Sequence, residues 1–132
     1  MNVIHTTKSA IYRSWDSCDK TTLVVAITED GVSVHHFNTN FLNAESALIQ
    51  LSQPEALGVA ERIQRVLSGE APQNDFDQPG AKLIVTRTTD GDPYREGVSI
   101  ALDTGDWNRD FDFRMDNGYA SSLANLLQSV QG

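Results

Sequence analysis

Apolar and polar residues alternate with period two over three early stretches, the pattern of half-buried strands. Leu23, Val25 and Ile27 point one way, and Asp30-Gly31 supplies a tight turn into Val32, Val34 and His36. A third strand carries Ala47, Ile49 and Leu51 on one face. Then the period changes. Ser52 and Glu55 have the S-x-x-E spacing of a capping box, in which each side chain satisfies an orphan N–H at a helix start. Pro54 is tolerated in that first turn, where its missing N–H has no intrahelical partner. Ala56, Val59, Ala60, Ile63, Val66 and Leu67 recur at helical spacing, and Gly69 offers a stop.

Residues 68–80 are rich in turn formers and acidic groups and read as a linker. Beyond them the pattern restarts. Lys82-Leu83-Ile84-Val85 echoes Thr22-Leu23-Val24-Val25, and Gly97-Val98-Ser99-Ile100 echoes Gly31-Val32-Ser33-Val34. Phe111, Phe113 and Met115 take the places of Ala47, Ile49 and Leu51. Asp116 or Asn117 caps a helix striped by Ala120, Leu123, Ala124, Leu127 and Val130, which match the first helix position for position. The second unit differs mainly by a longer hairpin loop, Asp90 to Glu96. Ahead of both, His5 to Trp15 alternates weakly and predicts an extra strand. The expectation is one α+β domain over 1–132: antiparallel sheet from two β-β-β-α repeats, at about 21–69 and 81–131, with the helices packed on one face.

The residues alternate to the core set are Val24, Ala26, Phe37, Ile84 and Ala101, more apolar than a fully solvated sheet face requires. Strand curvature that half-buries both faces explains this; so does a binding or self-association surface.

Composition adds bounds. At 132 residues with 39% hydrophobic content, the chain can bury a core, and it holds no apolar run long enough to span a bilayer. Met1 to Ala10 lack the pattern of a secretory signal. Cys18 is the single cysteine, so no intrachain disulfide forms, and a reducing compartment, the cytoplasm, is expected. Eighteen acidic against ten basic residues leave a formal charge of −8, which disfavours duplex nucleic acid as a partner.

Candidate chemistry is sparse. His35 and His36 are adjacent, so a regular strand sends them to opposite faces and they cannot chelate one ion; His5 adds no ligand spacing. Asp103 to Asp110 is acidic but lacks the central Gly and closing Glu of a calcium loop. Cys18 has no base or orienting partner beside it in sequence. No phosphate loop or nucleophile elbow is present. No catalytic residue, metal ligand or cofactor is therefore expected.

Two functions fit these readings. The first is a small acidic, non-enzymatic protein-interaction module that binds another protein or itself: an accessory subunit, inhibitor or immunity-type protein. The surface candidates are Tyr12, Trp15, Val24, Phe37, Ile84 and Trp107, with Tyr94 a further aromatic. The second is single-stranded nucleic-acid binding. The sheet-then-helix units resemble, in element order, the Whirly family of single-stranded DNA binders. That resemblance implies bases held by aromatic and basic residues, for which Arg13, Lys82, Arg87, Arg109 and Arg114 with Tyr12, Trp15 and Trp107 are the candidates. Asp110 and Asp112 alternate with Arg114 and oppose it.

Overall fold

In a computed structural model, residues 8–15, 21–38, 46–70, 82–91, 94–102 and 110–131 are described. The elements run β1 (Ser9–Arg13), β2 (Thr21–Thr28), β3 (Gly31–Asn38), β4 (Ser46–Leu51), α1 (Gln53–Leu67), β5 (Ile84–Gly91), β6 (Tyr94–Leu102), β7 (Phe111–Asp116) and α2 (Asn117–Gln128), closed by a 3-10 turn at Ser129–Gln131. The α+β class and the order of elements are those the periodicity predicts. All pairing is antiparallel, and the strands divide into a four-stranded sheet β1-β2-β3-β4 and a three-stranded sheet β5-β6-β7. The hairpin in the second unit is tighter than expected. Pairing continues through Asp90↔Arg95 to Gly91↔Tyr94, so only residues 92 and 93 separate the strands. Most of the 68–80 linker lies outside the described residues, as do His5, Cys18, Trp107 and residues 103–109 of the acidic loop.

Both helices begin by the same device. Ser52 caps α1 by accepting from Glu55 N–H at 3.2 Å, while the Glu55 carboxylate accepts from Ser52 N–H at 2.8 Å. Asp116 caps α2 by accepting from Tyr119 N–H at 2.7 Å. Gly69 ends α1 at φ 86°, where a side chain would be strained. One stripe of each helix is buried, Ala56, Val59, Ala60, Ile63 and Val66 on α1 and Ala120, Leu123, Ala124 and Leu127 on α2. The helices pack against each other and against the inner faces of both sheets, forming one core. Burying a Val, Leu or Ile contributes about 1.5–3 kcal/mol, so this layer is the main source of stability.

The sheets meet at both ends. Trp15 N–H donates to Arg114 C=O at 3.0 Å, tying the chain after β1 to β7. Lys82 Nζ donates to Gln50 C=O at 3.2 Å, tying the approach to β5 to the end of β4. The two G-V-S glycines have matching reasons to be glycine. Gly31, at φ 142°, lies where a β-carbon would collide with the Leu51 carbonyl. A β-carbon at Gly97 would collide with the Met115 carbonyl and lie 2.8 Å from Trp15 Cζ3. Leu51 and Met115 each immediately precede a helix cap, so each glycine lets a strand close against the start of its unit's helix.

Gly97→Ala should lower stability by about 2 kcal/mol or more, because backbone and an indole must both move. Gly58→Ala in mid-α1, meeting nothing nearer than 3.7 Å, should instead raise it by about 0.5 kcal/mol. Urea unfolding of the two variants checks this pair of opposite signs.

Candidate functional site

With one core between the sheets, each sheet turns its second face outward, and the registers fix what that face carries. On the four-stranded sheet the outward positions form three cross-strand rows. Ser9, Ala26, Ser33 and Gln50 make the first; Ile11, Val24, His35 and Leu48 the second; Arg13, Thr22 and Phe37 the third. The middle row is apolar at three of four positions. Its ends, Ile11 at 66% and Leu48 at 55% exposure, are two of the three large hydrophobic residues exposed among the described residues. Val24 and Phe37 are half-buried, and the His35 and Phe37 rings lie 5.0 Å apart. Although the chain has eighteen acidic residues, none of these eleven positions is acidic, and Arg13 supplies the one formal positive charge.

The outer face of the three-stranded sheet is different in kind. Its rows are Ile84, Ala101, Asp112; Thr86, Ser99, Arg114; and Thr88, Gly97, Asp116. Ser99 Oγ donates to the Asp112 carboxylate, and Arg114 Nη2 sits 3.5 Å from the same carboxylate. Part of the face is covered by Trp15. Its indole packs on Gly97, and the Arg95 guanidinium carbon lies 4.3 Å from the ring centre while Arg95 Nη1 donates to Trp15 C=O at 3.2 Å. Ile84 is half-buried beside Ala101 and near Asp112, with no large apolar neighbour across the strands.

The six surface candidates therefore separate. Val24 and Phe37 lie on the bare sheet face. Tyr12 does not: it is 3% exposed and belongs to the core. Its pairing with Leu23 puts it on the inner face, its ring meets Tyr119 edge-on at 5.7 Å, and its hydroxyl sits 3.5 Å from Ser122 Oγ. Burial raises the phenol's pKa, partly offset by that hydroxyl contact. Trp15 is a half-buried clamp between the sheets, and Trp107 lies outside the described residues. Ile11, Leu48 and His35 complete the face; the alternation already put His35 there, opposite His36, whereas Ile11 and Leu48 escaped the sequence reading. Leu48 could have been found, since it alternates with Ala47 and Ile49.

Adjacent histidines do point to opposite faces. His36 lies inward, stacked on Phe111 with ring centres 4.2 Å apart and planes 5° from parallel. Burial, with a smaller contribution from nearby His35, lowers its pKa to about 4. Among the described residues no group of three or more His, Cys, Asp or Glu side chains could hold a metal, and no helix is long and apolar enough to cross a membrane. The chain matches no protein-family model, and neither a curated protein nor a solved structure is significantly similar to it. The likeness to the Whirly family thus remains one of element order.

The stacked His36 has a consequence for stability. Its pKa falls from 6.5 unfolded to about 4 folded, so between these values the unfolded chain takes up a proton that the folded one refuses. Stability from this site is complete above pH 6.5 and declines as pH falls through that window. Allowing for partial solvent access, wild type should lose about 2 kcal/mol more than His36→Gln between pH 7 and about pH 4.5. Parallel urea titrations of the two proteins at both pH values read this difference; equal losses would contradict it.

Proposed function

We propose that the chain is a non-enzymatic protein-interaction module that associates with itself through the outer face of the four-stranded sheet, in a reducing compartment such as the cytoplasm. The observation that carries this reading is the Ile11–Val24–His35–Leu48 row, apolar at three of its four positions and ending in an exposed aliphatic side chain at each edge of the sheet. Charge supports it. Two copies at −8 repel each other, and an acid-free face is where that repulsion is least. Size supports a weak contact. Four strands about 4.8 Å apart and up to eight residues long present roughly 500 Å² per copy, so a pair buries about 1,000 Å², at the lower limit for a specific interface. Packed face to face at about 10 Å, the copies would form a sandwich across the contact.

Single-stranded nucleic acid has less to recommend it. Arg13, His35 and Phe37 lie on the same face, but Trp15 is engaged with Arg95, Arg114 with Asp112, and Tyr12 is buried.

Sedimentation velocity over a concentration series decides the matter. Wild type should rise in mass from monomer toward dimer, and Ile11→Glu or Leu48→Glu should remain monomeric with unaltered circular dichroism. A strictly monomeric wild type, or variants that associate as well as wild type, would overturn the self-association reading. Titration with a labelled single-stranded oligonucleotide tests the other class. Binding that weakens with salt and is lost in Arg13→Gln would replace a protein partner with a nucleic acid.

A further inference from the structure

Where the two sheets approach each other, the end of β4, the first turns of α1 and the approach to β5 border an open cleft of about 250 Å³. Its inner wall is apolar: Leu51, Val59 and Leu83 all line it and are at most 3% exposed. Its rim is charged. Lys82 Nζ is held by the Glu55 carboxylate at 3.2 Å and by Gln50 C=O at 3.2 Å, so those two charges cancel. Arg62 is left over. Its side chain turns back toward the helix start, placing both terminal nitrogens 3.7 Å from where a β-carbon of Gly58 would be. It makes no ion pair among the described residues. In a chain of charge −8, this cleft carries one net positive charge above an apolar wall.

Gly58 is the second pointer. Glycine weakens a helix interior relative to alanine, yet neither φ nor a close contact requires it here. What its missing side chain does is leave the cleft open between Pro54 and Arg62, one turn away on either side.

We propose that this cleft binds a short apolar carboxylate, with the carboxylate on Arg62 and the tail against Leu51, Val59 and Leu83. A guanidinium fork matches a carboxylate with two parallel hydrogen bonds, and the volume, small for a ligand pocket, suits a few-carbon tail. A free short-chain acid and the carboxyl terminus of a peptide ending in leucine share this chemistry.

Amide NMR titration of the full chain separates them. Sodium hexanoate, hexanol, and a short leucine-terminated peptide with a free or amidated carboxyl terminus are the probes. Saturable shifts confined to residues 51–62 and 82–84, produced by hexanoate or the free-carboxyl peptide but not by hexanol or the amide, are expected. Whichever carboxylate binds identifies the source. Arg62→Gln should weaken that binding about tenfold or more, and Gly58→Leu should abolish it while melting no lower than wild type. No saturable shift with either carboxylate, or binding indifferent to Arg62→Gln, would overturn the proposal. Because this cleft does not touch the sheet face, neither outcome alters the self-association measurement.

Discussion

One apolar layer holds this chain together: the buried stripes of α1 and α2 wedged against the inner faces of two antiparallel sheets. Because strand side chains alternate, committing Leu23, Val25, Val34 and Ile49 to that layer commits Val24, His35 and Leu48 to the opposite side. A slip of one residue would exchange the two sets, so the core and the outer face are determined together.

The two sheets deal with their second faces differently. Trp15 reaches across β7 to lie on Gly97, and Ser99, Asp112 and Arg114 form a hydrogen-bonded polar strip beside it. Among the described residues the four-stranded sheet has neither device. Its middle row ends in two exposed aliphatic side chains, and the acidic residues that dominate the chain are missing from it. An exposed stripe of this kind loses little in water as single residues, but as a contiguous row it is the place where association gains most.

Most of the fold was readable because it rests on local signals. The capping box at Ser52 and Glu55, the cap at Asp116 and the matching helical stripes are each set within a few residues, and the structure reproduces them except that Val130 falls in the 3-10 turn beyond α2. The division into two sheets was not readable. It depends on which edges fail to pair, β4 with β5 and β1 with β7 beyond one hydrogen bond, and that is a tertiary outcome. Tyr12 shows the same limit at one residue. Ile11 and Tyr12 are adjacent and both bulky, so alternation alone leaves open which one points inward. The pairing of Tyr12 with Leu23 and the room for its hydroxyl near Ser122 decide it, sending Ile11 outward. The candidate face was half legible for this reason: Val24 and Phe37 were visible as alternates to the core, whereas Ile11 needed the strand pairing.

The central claim is that the bare face of the four-stranded sheet is a contact surface. Methyl NMR spectra recorded across a dilution series test it most directly, because they report where association occurs as well as whether it does. Concentration-dependent shifts confined to Ile11, Val24 and Leu48, with the core methyls of Leu23 and Val25 little changed, are the predicted result. Spectra independent of concentration, or shifts centred on α2 or on the three-stranded sheet, would contradict it.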